Sequence, residues 1–454
     1  MKKIIFIMFP LLLFSQTTPP VMLWEQIYDV TTISSNGVSF FNSIIQSHSS
    51  NEYVLTSIYN TENTLFKIDT DGNLIWQQSA PVNISNIGGK GVAILSDNLY
   101  YTITENCPSS VQNSIQQFDN DGNILGNWCL TNSENNSNFN YIISTNDGGL
   151  LISTTTTLKK FNSSKILEWS ANHTPNSVIS NIIETSDGHF VAVGSIDPTV
   201  LGNTNGGCYM AKYDSLGNML WQRNFGDSID VIESAYTVAE LSNGNFITAC
   251  FSNNLIDDEF FEGTWMYTVN PSGDVLGHKI LPPYGAQSYS NIIIEGRGYV
   301  VAIITASNGE TSKFRLIKVN ETNEIEWDVS FSDGWIYDLT KTSEGDYIAV
   351  GTDYNASVSG SGNLKAMKIG WEPLSTPSFE NSVSLYPNPA QDYIIVKNNF
   401  SENQTVVIYN VAGQTIMTQE INQNENSLDV AKLASGIYFV HVSESNTTLK
   451  WVKD

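Results

Sequence analysis

The sequence predicts an all-β protein, a seven-bladed β-propeller followed by a small immunoglobulin-like β-sandwich. Three observations carry this expectation. One two-strand phrase recurs six times through the middle of the chain, a second hairpin phrase alternates with it, and residues 381–454 break into short alternating strands of a different pattern.

The first phrase reads LFKIDTDGNLIW ending at Trp76, IQQFDNDGNILG at Gly126, LKKFNSSKILEW at Trp169, MAKYDSLGNMLW at Trp221, MYTVNPSGDVLG at Gly277 and LIKVNETNEIEW at Trp327. Each is two strands around a turn. The second phrase includes NDGGLLIS (Asn146–Ser153), SDGHFVAVGS (Ser186–Ser195), SNGNFITACF (Ser242–Phe251) and SEGDYIAVGT (Ser343–Thr352). Its Asp-Gly and Asn-Gly pairs supply the positive φ that tight hairpins need. Counted from Trp24, the anchors recur every 43 to 56 residues, so one unit is four strands, the period of a propeller blade.

Closure follows from the two ends of the array. LWEQIYD around Trp24 is a fourth strand with no first three before it, and Trp335–Thr340, Tyr347–Gly351 and Leu364–Ile369 are three strands with no fourth. The fragments complete each other, which makes seven blades over residues 21–371 and leaves no open edge. This region resembles the Trp- and Gly-rich propeller repeats of secreted bacterial proteins, with pyrroloquinoline-quinone-type and kelch-type propellers as looser relatives. The Trp residues are expected to be packing wedges between blades, with carbohydrate stacking as the lesser reading.

Beyond a linker at 372–380, runs such as Tyr393–Val396, Thr405–Tyr409, Thr415–Gln419 and Ile437–Val442 alternate with period two and are divided by turn residues. That pattern suits a small sandwich. YPNP at Tyr386–Pro389, VAGQ at Val411–Gln414, SGIYFVHV at Ser435–Val442 and the closing Lys450 and Lys453 resemble, in order and spacing, the type A C-terminal sorting domain of the type IX secretion system of Bacteroidota. The resemblance implies passage across the outer membrane, the secretion machinery as a partner, and Gly413, Gly436, Tyr438, Lys450 and Lys453 as signal residues. At the other end, Lys2 and Lys3 precede an apolar stretch from Ile4 to Phe14, so residues 1–15 are expected to be a signal peptide. No later run reaches transmembrane length. The expected location is the outer cell surface or the medium, reached through the periplasm.

With 46 acidic and 21 basic residues the formal charge is −25, which repels a phosphate backbone and makes nucleic acid a poor partner. The five histidines are scattered, with no HExxH; G-x-S-x-G and P-loop sequences are absent as well. No catalytic residue is assigned, and recognition is expected rather than turnover. No cofactor is expected either: Asp69 with Asp71 and Asp119 with Asp121 stand beside Gly as in calcium loops, but lack the full EF-hand spacing and are read as turn residues, a structural calcium ion remaining the alternative.

Four cysteines allow three connectivities. Export makes disulfides plausible, and Cys107 with Cys129 is the favoured pair, against buried thiols. Long second-to-third-strand connections emerge on one face, where function usually resides. Among them IDDEFFEG offers Asp257, Asp258, Phe260, Phe261 and Glu262 as binding candidates, weighed against a plain solvated loop. Asp214–Leu216 and Asp227–Ile229 are similar to the Asp-Ser-apolar tripeptides that Bacteroidota O-glycosylate. A glycan or surface-protein ligand is the leading expectation, an extracellular polysaccharide hydrolase or lyase the alternative, and a purely structural surface protein the third.

Overall fold

The computed structural model describes residues 18–28, 40–47, 49, 51–59, 62–81, 91–95, 97–104, 114–129, 139–154, 156–175, 177–196, 207–225, 233–256, 259–282, 286–287, 291–305, 313–353, 363–371, 383–398, 403–422, 424–442 and 447–454. All regular structure among them is β, and the chain divides into two compact units, 1–372 and 373–454. The expected signal peptide at 1–15 and linker at 372–380 lie outside the described residues.

The described residues of the first unit form seven antiparallel sheets, numbered 1 to 7: residues 40–81, 92–129, 139–172, 177–225, 233–281, 286–333, and 335–370 joined by Val21–Tyr28. In sheets 1 to 5 the strands pair in chain order; in sheet 6 the segments Ala286–Gln287 and Ile292–Glu295 both pair with Gly298–Thr305 and together stand as its first strand. Sheet 7 takes its fourth strand from the N-terminal side, with Trp24 opposite Lys368 and Tyr28 opposite Leu364, so the expected pairing of the two end fragments is present. The first strand of each sheet packs on the first strand of the next, and the first strand of sheet 7 (Trp335–Lys341) packs back on Phe40–Gln46 of sheet 1. The sheets thus form a closed, propeller-like ring.

Packing between neighbouring sheets follows from one turn. The third and fourth strands of sheets 1 to 6 are joined by a turn in which the first residue's amide and carbonyl bond to the fifth residue's carbonyl and the fourth residue's amide, as in Asp69 N to Asn73 O and Gly72 N to Asp69 O. These bonds mark a G1-type bulge with the turn's fourth residue at positive φ, and the fourth strand then carries one extra residue, as Ile75 between Leu74 opposite Ile68 and Trp76 opposite Lys67. Asp69 Oδ1 accepts the amides of Asp71 and Asn73, and Asp119 and Asp214 repeat the arrangement. The exposed Asp119 carboxyl is held below its usual range, foremost by the side-chain amide of Asn123. Asp69 and Asp119 are therefore turn caps, with their oxygens already engaged.

The fourth residue of that turn explains the tryptophans. Trp24, Trp76, Trp169 and Trp221 lie against Gly72, Gly122, Gly217 and Gly273 of the next sheet, so that a Cβ on any of these glycines would sit 2.5 to 2.8 Å from an indole carbon. Each indole N–H donates to a turn carbonyl two residues before the glycine, at 2.9 to 3.0 Å: Thr70, Asn120, Ser215 and Pro271. Where the wedge is itself glycine, at Gly126 and Gly277, the facing turn residue carries a side chain despite φ of 65° and 64°: Lys165 and Asn323. Trp and Gly thus occur as complementary pairs across sheet junctions. At the seam, the turn after sheet 7's third strand is missing because the chain is open there, and the buried Trp327 Nε1 has no partner among the described residues.

A second repeated position escaped the sequence reading. Directly across from each wedge tryptophan stands a lysine of the third strand: Lys67, Lys160, Lys212, Lys318 and Lys368. All five are buried, and their ammonium groups reach Glu52, Asp147, Asp187, Glu295 and Asp346 at 2.7 to 3.3 Å, as a desolvated charge must. Opposite Gly126 and Gly277 the lysine is replaced as well, by Gln117 and Thr268.

The second unit is a two-sheet sandwich. Ser384–Tyr386, Tyr393–Asn398 and Asn424–Asp429 form one sheet; Thr415–Ile421, Gln404–Asn410, Gly436–Val442 and Thr447–Lys453 form the other. Ile394, Val396, Ile408, Val440 and Trp451 fill the space between them, all fully buried.

Candidate functional site

Two regions of the ring can present functional groups: the axis, lined by first strands, and the face carrying the connections between second and third strands. At the axis a cavity of about 470 Å³ is bordered by first strands of six sheets. In five sheets the first strand bulges where it pairs with the second, between Phe41 and Ser43, Phe139 and Tyr141, Ile179 and Asn181, Ala235 and Thr237, and Ile336 and Asp338. A bulge re-aims the side chain that follows. Asn181 Oδ1 accepts the amide of Val238 in the next sheet at 3.4 Å, and Asn181 Nδ2 donates to the Tyr141 hydroxyl at 3.0 Å. Asp338 Oδ2 accepts the amide of Ile44 across the seam at 2.8 Å, while Oδ1 accepts from Asn291 Nδ2 at 2.6 Å. Burial and, after it, the Asp338 charge push the Tyr141 phenol above its ordinary range, so it stays a neutral hydrogen-bonding group. Nearer the short-turn face, Glu184 accepts the Asn146 amide and Glu240 accepts the amide and hydroxyl of Ser186, each from the preceding sheet. These polar groups are spent on ties between sheets, so the belt holds the ring in register.

The binding candidates of the loop face belong to one element. Phe246–Ile256 and Glu259–Val269 are eleven residues each and pair continuously to Ile256 opposite Glu259. The segment expected as an irregular loop is therefore a β-hairpin arm that runs past the end of the fourth strand, whose last partner is Thr264 opposite Leu281. Phe260, Phe261 and Glu262 pair through their backbones with Leu255, Asn254 and Asn253. Strand propensity of the aromatic pair explains the difference. Asp257 and Asp258, at the tip, lie outside the described residues, as do most other connections on this face. Cys129 is disulfide-bonded and its expected partner Cys107 is likewise outside the described residues; Cys208 and Cys250 are buried thiols. Among the described residues no group of three or more His, Cys, Asp or Glu is arranged to hold a metal ion.

In the sandwich the YPNP motif is tied to the last strand, which carries two of the expected signal residues, Lys450 and Lys453. Asn388 of YPNP, between cis prolines 387 and 389, donates from Nδ2 to the Lys450 carbonyl at 3.1 Å and accepts the Val452 amide at 2.9 Å. Ala390 continues the link to Val452 and Asp454. The YPNP motif and the last strand are thus one structural unit. Tyr438 packs on the buried Trp451, ring centroids 5.5 Å apart, and bonds to the Ala434 carbonyl. Gly413 holds a φ of 74° in a turn capped by Asn410. Lys453 is buried and donates to the Asp454 carbonyl, whereas Lys450 is exposed.

Fold and site together define a propeller-like all-β protein with a terminal sandwich. Residues 384–453 match the secretion system C-terminal sorting domain family. The chain carries a type IX secretion sorting domain, and with it a route to the cell surface or the medium and a partner in the type IX machinery. Over 206 residues the chain is 27% identical to Beta-agarase A of Zobellia galactanivorans, covering 43% of this chain and 35% of that protein, so it spans about a third of the length of this curated relative. Solved structures that resemble it include the virginiamycin B lyase of Staphylococcus aureus (TM-score 0.49, 12% identity, 77% of this chain and 99% of that one). PorZ, a surface component of the type IX system of Porphyromonas gingivalis, also resembles it (TM-score 0.46, 14% identity, 93% and 60%). Among the described residues no helix is long and apolar enough to cross a membrane.

Proposed function

We propose that residues 21–371 are a seven-bladed β-propeller, that residues 381–454 are an immunoglobulin-like sandwich serving as the export signal, and that the exported propeller is a recognition module for an extracellular glycan or surface protein. The observation that carries the reading is the hairpin arm of sheet 5, which extends from the long-connection face and includes Phe260, Phe261 and Glu262. A stiff scaffold that presents aromatic and polar groups on projecting elements suits binding. The axial polar groups are engaged between sheets and add rigidity.

The mature protein should bind agarose or another extracellular polymer saturably, and Phe260→Ala with Phe261→Ala should weaken that binding by about tenfold, the loss of two aromatic contacts to the ligand. A polysaccharide hydrolase is the second reading, supported by the likeness to Beta-agarase A. Release of reducing ends from agarose on long incubation, abolished by changing one carboxylate, would decide for it.

A further inference from the structure

The junction between sheets 5 and 6 is built differently from its neighbours. Sheet 5 has Thr268 and Gly277 where sheets 1, 3 and 4 have the lysine and tryptophan that seal the next junction. The other junction whose wedge is glycine, between sheets 2 and 3, is filled by other groups: Trp128 packs edge-on against Phe161, ring centroids 4.7 Å apart, and Lys165 lays its ammonium group over the Tyr101 ring at 5.1 Å. Between sheets 5 and 6 the facing residue is the short Asn323, and a cleft of about 660 Å³ remains, inside the range of roughly 300–1,000 Å³ typical of ligand pockets.

Tyr299 lines that cleft. It stands near the start of the second strand of sheet 6, in the place of Tyr100, Phe190 and Phe246, whose rings lie 5.8 to 6.4 Å from the wedges Trp76, Trp169 and Trp221. With Gly277 opposite, Tyr299 has no such wedge. It is 4% exposed, and its hydroxyl, shut off from solvent, finds no hydrogen-bond partner among the described residues. Burial pushes the phenol above its ordinary range, so the hydroxyl keeps its proton. The rim is polar. Asn243 and Asn245 come from sheet 5, and Arg297 Nη1 meets Glu321 Oε2 at 3.0 Å on sheet 6. The guanidinium is thus balanced by a carboxylate, and the protein's formal charge of −25 disfavours an anionic ligand.

We propose that this cleft, opened by Thr268 and Gly277, is a binding site for a neutral oligosaccharide, with Asn243, Asn245 and the Arg297–Glu321 pair engaging its hydroxyl groups. Amide, hydroxyl and paired guanidinium–carboxylate groups supply the donors and acceptors that vicinal diols need. The site lies at the turns joining third to fourth strands, the opposite end of the strands from the hairpin arm, and stands apart from the loop-face reading.

Calorimetric titration of the mature protein with neoagarohexaose, cellohexaose and laminarihexaose tests it. At least one should bind, and Arg297→Ala should weaken it by roughly threefold to tenfold, one hydrogen bond. The double variant Gly277→Trp with Asn323→Gly rebuilds the wedge and turn of the other junctions, so it should abolish binding while unfolding no earlier than the parent. If the double variant does not fold, Asn245→Ala together with Arg297→Ala decides, and unchanged affinity in both overturns the proposal. Failure of all three oligosaccharides to bind at millimolar concentration overturns it too. Parental affinity in the folded double variant removes the cleft as the site and leaves the loop-face reading standing.

Discussion

Gly217→Asn should destabilise the protein far more in its natural background than beside Trp169→Gly. A Cβ on Gly217 would meet Trp169 Cε3 at 2.5 Å, inside any tolerated contact, while the backbone holds a φ of 83°. Overpacking of this kind costs about 1–3 kcal/mol, and Asn is among the residues that bear a left-handed backbone best. Trp169→Gly removes a half-buried ring and its bond to the Ser215 carbonyl, for about 3 kcal/mol. Independent effects would sum to roughly 4–6 kcal/mol. The pair Gly277 and Asn323 shows, however, that the turn accepts asparagine once the facing residue has no ring. The double variant should therefore cost little beyond Trp169→Gly alone, a coupling of about 1–3 kcal/mol. Urea unfolding of the mature protein, followed by far-ultraviolet circular dichroism for the two single variants and the double, measures it. Strict additivity would refute the idea that ring and turn are matched across the junction.

Three further outcomes are expected. Removing Val21–Tyr28 takes the fourth strand from sheet 7 and the Glu25 carboxylate from buried Lys365, 2.9 Å away; the thermal midpoint should drop sharply, and a drop no larger than that of an exposed-loop deletion would contradict ring closure. Truncation before Ser375 should leave the ring in the periplasm of a type IX-competent cell, and Asn388→Ala should impair export by loosening the link to Lys450 and Val452, read by fractionation and immunoblotting. Asp187 should make stability fall on acidification: burial works against ionisation there, but Thr185 and Lys212, at 2.9 Å, outweigh it and bring the carboxyl down to about 2. Its contribution is present above the unfolded carboxyl value of about 3.9 and is lost as pH falls toward 2, by about 1 kcal/mol given its exposure. Asp187→Asn should flatten the urea midpoint between those limits, and an unchanged slope would rule this carboxylate out as the cause.

Much of the fold was legible because its determinants are contiguous. A turn capped by Asp or Asn with Gly three residues on, between alternating strands, forms from nearest neighbours, and its recurrence at a regular period announces repeated sheets. The unmatched strands at Trp24 and Leu364–Ile369 were legible for the same reason, since a strand without partners leaves unpaired backbone groups that must find each other. The sorting motif, too, is local in sequence, although its unity comes from Asn388 bonding 64 residues away to Val452.

What needed the tertiary structure lies between sheets. The axial belt joins Asp338 to Ile44 over 294 residues, and Asn181 to Val238 over 57. Its first-strand positions carry Ser43, Tyr141, Asn181, Thr237 and Asp338, which share no residue type to be recognised along the chain. The buried lysines were within reach, standing nine residues before the tryptophans of sheets 1, 3, 4 and 6, yet their meaning depends on carboxylates brought up by folding. By itself the sequence determined the repeated sheets, their closing strand and the export signal, because turn chemistry and strand alternation act between neighbours along the chain. Tertiary structure alone decided which junctions are sealed and which stays open, because that depends on whether side chains from two different sheets together fill one space.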